Sequence, residues 1–155
     1  MKFRSYQLLF VASIALLIVA LIKPIVNIIE PTGVTASMGN FGYVLADGTV
    51  SRAVVALGVV LIASVAVNAF ALLVSQFSNF ALQKRCAILS ILLVAGYYIL
   101  LLIYLLILTD GAAVKMEWPM FMPLLVLAFN AIAFVLVRRH EAKIIAKAMG
   151  FRLRD

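Results

Sequence analysis

Four long apolar runs, separated by short polar segments, set the pattern of hydrophobic and polar positions along the chain. The first lies between Arg4 and Glu30, with its core at residues 8–29. The others have cores at residues 53–75, 87–109 and 119–137. A helix crosses a bilayer core of about 30 Å with roughly 20 apolar residues, so each run is long enough to span. Short connections make successive helices antiparallel neighbours. The pattern therefore predicts an all-α membrane protein, a four-transmembrane-helix antiparallel bundle forming one domain over residues 1–155. No fixed-period repeat is present, and the two halves do not match each other as inverted transporter repeats do.

The first run carries an interruption. Pro24 removes an amide donor and is expected to kink the helix near its outer end. Lys23 has a stem long enough to snorkel toward the headgroups. Residues 8–22 alone also read as a signal-peptide core. No small-x-small cleavage site stands beside them and Lys23 follows directly, so an uncleaved first span is expected. Between the first two spans, residues 30–52 form a short outer loop rich in Gly and β-favouring residues. Asp47-Gly48, between Tyr43–Ala46 and Thr49–Ser51, is a hairpin signal. A small ribbon over the bundle is one reading and a flexible connector the other, with Phe41 and Tyr43 as interfacial anchors. Trp118 stands at a membrane edge, Pro119 suits the first turn of the fourth helix, and Pro123 is expected to bend it.

Composition narrows the class. Of 155 residues 66% are hydrophobic and 12% charged, against roughly 45–50% and 25% in soluble domains. A soluble fold of this size has too little interior to hide that surface. The net charge of +7 raises nucleic acid as a partner, but the basic residues sit in the short segments between apolar runs, where they set membrane orientation, and no nucleic-acid partner is expected. With the N-terminus on the cytoplasmic side, the inner segments hold Lys2, Arg4, Lys84, Arg85, Arg138, Arg139, Lys143, Lys147, Arg152 and Arg154. The outer ones hold Lys23, Arg52 and Lys115, ten cations against three. Both termini are thus expected in the cytoplasm.

Chemistry is constrained mostly by exclusion. The single cysteine, Cys86, makes neither an intramolecular disulfide nor a multi-thiolate metal site, and it rules out a membrane thiol oxidoreductase. The single histidine, His140, rules out a haem held by two histidines. No HExxH, Walker A, GxGxxG or nucleophile elbow occurs. No ionisable residue lies near a bilayer centre, which argues against a carrier working through a buried carboxylate. No catalytic, cofactor-binding or metal residue is therefore expected. Weaker polar groups form faces: Ser64, Asn68 and Ser75 in the second run; Gln83, Ser90, Tyr97 and Tyr104 at a spacing of seven in the third; Asn130 in the fourth. Such faces beside small residues are how membrane helices pack; the alternative is a ligand face. In the tail, residues 138–155, Ile144, Ile145, Ala148 and Met149 share one face and Lys143 and Lys147 another, the pattern of an amphipathic cytoplasmic helix with Gly150 as its stop. Arg138, Arg139, Lys143 and Lys147 are the candidates for anionic-lipid or partner contact; the other reading is a stop-transfer cluster alone.

Two segments carry a resemblance. One is Leu82-Gln83-Lys84-Arg85 leading into Ile88-Leu89-Ser90-Ile91-Leu92-Leu93; the other runs from Asn130 through Val137-Arg138-Arg139-His140-Glu141 to Phe151-Arg152-Leu153-Arg154. Over nearly its whole length the chain resembles a bacterial family of four-span inner-membrane proteins known only as a domain of unknown function (family 4293). That family usually has Asn in place of Ser90 and Asp in place of His140. The resemblance implies the bundle, the bacterial inner membrane and an inward tail, and supplies no catalytic residues. Two functions are open at this point: a non-enzymatic accessory or scaffold subunit contacting membrane lipid and a protein partner or second copy, or a small transporter or lipid-binding protein with a path between helices 2 and 3.

Overall fold

The computed structural model describes residues 4–29, 33, 35–44, 48–52, 54–77, 79–108 and 113–152. Four long helices dominate: α1 (Ser5–Ile22), α2 (Val55–Gln76), α3 (Phe80–Leu108) and α4 (Met122–Arg152). All four are long and apolar enough to cross a membrane. With 22 residues, α2 extends about 33 Å, the thickness of a hydrocarbon core. Their outward faces carry Leu8, Ile62, Leu73, Leu92, Leu106 and Leu124, all more than half exposed except Ile62 at 50%, and lipid is the solvent that suits them. This is a multi-pass membrane protein.

The chain is not all-α. Five short strands, β1 (Val26–Ile29), β2 (Thr35–Met38), β3 (Tyr43–Val44), β4 (Val50–Ser51) and β5 (Ala113–Met116), form one sheet in the order β4-β3-β2-β1-β5. Every neighbouring pair is antiparallel. The expected span over residues 8–29 is thus corrected: α1 stops at Ile22, and Pro24 ends the helix instead of kinking it. Proline disfavours helical backbone in the residue before it, and Lys23 is extended, with ψ 147°. Beyond Pro24 the β-branched Val26, Ile28 and Ile29 form a strand. Apolar residues on both sides of Lys23-Pro24 conceal this switch of period.

The hairpin reading of residues 43–51 is met by β3 and β4, with Tyr43 opposite Ser51 and Val44 opposite Val50. Leu45, Ala46 and Asp47 of the expected hairpin lie outside the described residues, and Gly48 has φ +85°. The sheet is also larger than a hairpin, because β5 from the following connection pairs with β1. Helix α3 begins seven residues before the expected core, at Phe80, while its expected end at Thr109 lies outside the described residues. Trp118–Phe121 form a 3₁₀ turn with Pro119 near its start, and Pro123 falls in the first turn of α4, where a missing amide costs little. Helix α4 runs unbroken through Gly150 to Arg152, so that glycine is not its stop.

Each helix packs against two others, α1 and α3 each against α2 and α4. Two clusters fill the interior. At the end bearing the sheet, Leu17, Leu57, Leu61, Tyr97, Leu101 and Val126 meet the inward residues of the strands: Val26 and Ile28 of β1, Ala36 and Met38 of β2, and Tyr43 of β3. That alternation is what a half-buried sheet requires. Of the two expected interfacial anchors Phe41 is exposed, whereas Tyr43 is buried beneath the sheet and is not one. At the opposite end Tyr6, Phe10, Ala71, Ala87, Ala133 and Val137 close the bundle, with three alanines permitting near approach of the helices.

One residue joins sheet and helices. Asn40, 1% exposed, donates from Nδ2 to the Ala20 carbonyl of α1 and accepts at Oδ1 from the Tyr97 hydroxyl of α3 at 2.8 Å. Its backbone carbonyl accepts from the Gly58 amide of α2 at 2.9 Å. Gly58 is required there: a Cβ would meet the Phe41 ring and lie 2.9 Å from the Asn40 carbonyl oxygen. Gly58→Ala gains about 1 kcal/mol of helix propensity, against overpacking of about 1–3 kcal/mol and a strained hydrogen bond of about 1 kcal/mol. Thermal unfolding in detergent should register a net loss of roughly 1–2 kcal/mol; an unchanged or raised unfolding temperature would show that Asn40 does not hold this position.

Candidate functional site

Two polar regions stand out, one inside the bundle and one at the end remote from the sheet. Inside, three of the polar residues of α2 and α3 meet. Ser64, Asn68 and Ser90 are all 0% exposed. Asn68 Nδ2 donates to the Ser64 carbonyl and to Ser90 Oγ, both at 2.8 Å, and so joins α2 to α3. Ser64 Oγ donates to the Val60 carbonyl at 3.0 Å. Tyr97 is turned away from this group and spends its hydroxyl on Asn40. Tyr104 is partly buried against the sheet-end core. Asn130 is fully buried in α4 and donates to the Val126 carbonyl of its own helix at 3.0 Å. The structure therefore joins Ser64, Asn68 and Ser90, and leaves Tyr97, Tyr104 and Asn130 outside that group. Asn68 Oδ1, Asn130 Oδ1 and both amide atoms of Gln83 have no partner among the described residues, yet all are sealed from solvent.

The opposite end is held by charge and by amides. The Arg4 amide donates to Gln7 Oε1 at 2.9 Å, the side-chain half of a capping box, and Gln7 Nε2 donates to Ser75 Oγ at 2.8 Å, tying the start of α1 to the end of α2. Lys84 of α3 pairs with Glu141 of α4 at 2.6 Å, the one ion pair among the described residues. Exposure of both partners limits its worth to about 0–1 kcal/mol.

Beside these contacts, α1 and α4 enclose an open pocket of about 390 Å³ lined by Arg4, Ser5, Tyr6, Leu136, Arg139, His140 and Lys143. Arg139 and Lys143, one helical turn apart, reach it from α4, and Arg4 reaches it from the start of α1. Arg4 Nη1 donates to the Tyr6 hydroxyl at 2.8 Å, which holds the guanidinium along the pocket wall. Of the four tail cations singled out in the sequence, Arg139 and Lys143 line this pocket, whereas Arg138 and Lys147 are exposed and do not. Leu136 and Arg139 also border an apolar groove of about 310 Å³, completed by Ala131, Ile132 and Val135.

His140 lies past the apolar core of α4, which ends at Val137. Its ring sits 5.6 Å from Phe80 and 6.1 Å from Tyr6, centroid to centroid, and its Nε2 is shielded without a partner among the described residues. Burial, and after it the charges of Arg4, Lys143 and Lys147, hold the imidazole below its ordinary 6.5, so it is neutral at pH 7. Cys86 is buried and unpaired. Among the described residues no group of three His, Cys, Asp or Glu is placed to hold a metal ion.

The family model described as Domain of unknown function (DUF4293) matches residues 7–148. The chain belongs to this family. The DUF4293 match takes in all the polar residues of α2 and α3 discussed above together with Arg139, His140 and Lys143, while Arg4 and the Phe151–Arg154 ending lie outside it. No curated protein matches the chain. Gln7 and Asn40 were not singled out in the sequence. The Arg4–Gln7 spacing of a helix cap is the signal that marks Gln7; an asparagine in a glycine-rich loop carries no mark of its partners.

Two measurements check these assignments. A double-mutant cycle of Asn68→Ala and Ser90→Ala should return a coupling of about 0.6 kcal/mol, the average for hydrogen bonds between membrane helices; zero coupling means the pair is not formed. For His140 the sign follows from a folded value below the unfolded one: stability is held above pH 6.5 and falls as acid charges the ring. The unfolding temperature should therefore drop less between pH 7 and pH 5 in His140→Phe than in the parent, and equal drops would remove His140 from the account.

Proposed function

We propose that this DUF4293 protein is a non-enzymatic accessory or scaffold subunit of a membrane protein complex. Its helices form an antiparallel bundle in the bacterial inner membrane with both termini in the cytoplasm. Orientation rests on the ten-to-three division of cations between the two sides. The subunit role rests on the last three turns of α4. They remain helical to Arg152, yet every residue from 142 to 150 is exposed. Ile144, Ile145 and Met149 are 42%, 48% and 62% exposed there, beside Lys143 and Lys147. A helix whose Ile144, Ile145 and Met149 stay exposed among the described residues is suited to dock elsewhere.

The competing idea of a solute path between helices 2 and 3 finds less support. Ser64, Asn68 and Ser90 bond to one another or to their own helices, and Asn68 Oδ1 is closed to solvent. A conducting route needs polar groups facing a cavity. A catalytic role is likewise disfavoured, since no nucleophile is paired with a base within reach in these regions.

Crosslinking in the source membrane followed by native pull-down compares the full chain with one ending at Glu141. The full chain should recover the same membrane partner reproducibly, and truncation should lower its yield by about fivefold or more, equivalent to roughly 1 kcal/mol. Recovery of the chain alone under all conditions overturns the subunit reading.

A further inference from the structure

The pocket between the start of α1 and α4 has a chemistry that subunit docking does not use. Three cations, Arg4, Arg139 and Lys143, converge on about 390 Å³ of open space, and none pairs with a carboxylate among the described residues. The cations come from two helices, so their proximity is a product of the fold and not of a local run of basic residues. The position is equally specific. Arg139 stands two residues past Val137, the last residue of the apolar core, which is the level of the lipid headgroups. Leu136 and Arg139 then lead directly into the apolar groove of Ala131, Ile132 and Val135, which runs back along α4 toward the hydrocarbon. A cationic pocket continuous with an apolar groove matches a molecule that is anionic at one end and an alkyl chain at the other.

We infer that this seam is a binding site for one anionic phospholipid, with its phosphate held among Arg4, Arg139 and Lys143 and an acyl chain lying along Ala131, Ile132 and Val135. Guanidinium groups bind phosphate oxygens through paired N–H donors, and the ammonium of Lys143 adds a point charge. The first turn of α1 opens on the same pocket through Ser5 and Tyr6, adding the positive end of that helix. Inorganic phosphate shares the headgroup chemistry but has nothing to place in the groove, and for that reason the structure favours the lipid. Arg138 and Lys147 fall outside the site although they belong to the same basic stretch. The inference stands on the membrane setting alone and holds whether or not the chain has a protein partner.

The test uses the full chain in nanodiscs of equal parts phosphatidylglycerol and phosphatidylcholine, extracted in mild detergent and read by native mass spectrometry. The parent should retain phosphatidylglycerol over phosphatidylcholine by about tenfold. Arg139→Gln with Lys143→Gln should reduce that preference to within about twofold. Arg138→Gln with Lys147→Gln removes the same charge from side chains outside the pocket and should leave it intact. Equal losses in the two pairs, or no preference in the parent, reduce the site to diffuse surface charge and overturn the proposal. All four side chains are exposed, and unchanged unfolding temperatures keep the comparison valid. Val135→Trp, a substitution at a half-exposed position, fills the groove and should also lower lipid retention severalfold. If Val135→Trp has no effect while millimolar inorganic phosphate displaces the lipid, the site recognises free phosphate and the lipid assignment fails.

Discussion

In hydrocarbon an unpaired backbone amide or carbonyl has no water to turn to, and each one costs several kcal/mol. That constraint organises the whole molecule. The four segments long and apolar enough to cross a membrane are helical, and where the chain first departs from a helix, at Lys23 and Pro24, it enters a sheet whose strands satisfy one another. The departure is made safe by Asn40. Buried where helix meets sheet, it takes up a carbonyl of α1, a hydroxyl of α3 and an amide of α2 at once. Without it, the helices and the sheet would meet across several polar groups with no partner.

The two ends of the bundle solve different problems. The sheet end is closed by apolar strand residues packed on Leu17, Leu57 and Leu101, with the buried Asn40 linking sheet to helices. The far end is held by the buried bond of Gln7 to Ser75, by the part-buried pair of Lys84 and Glu141, and by the rings of Tyr6 and Phe80 around His140. Its cations outnumber its carboxylates, and three of them face open space. Apolar packing thus gathers at one end of the bundle and exposed positive charge at the other.

The sequence discloses these features unequally. Four spans are legible because twenty apolar residues in a row leave few alternatives to a membrane helix, and the Asn68–Ser90 contact is legible because polar residues beside small ones mark packing faces. The residues 26–29 strand is not legible. Four residues, with Asn27 the one polar position among Val26, Ile28 and Ile29, are too few to separate a period of two from one of 3.6, and Pro24 is the clearer hint of the change. Tyr97 illustrates the same limit: its heptad spacing with Ser90 places it correctly on a buried face, but its partner comes from a loop 57 residues away. Arg4 and Lys143 are likewise visible as charges, whereas their convergence depends on α1 and α4 packing side by side.

The pairing of β5 with β1 has a consequence for assembly. β1 is made early, directly after the first helix, but its second edge is completed only by residues 113–116, which follow the third. A nascent chain with three helices translated therefore presents an unzipped strand margin at its rim. Biogenesis of this protein includes an interval in which that margin must be shielded by the insertion machinery or left to water, and the last connection to emerge is the one that seals it.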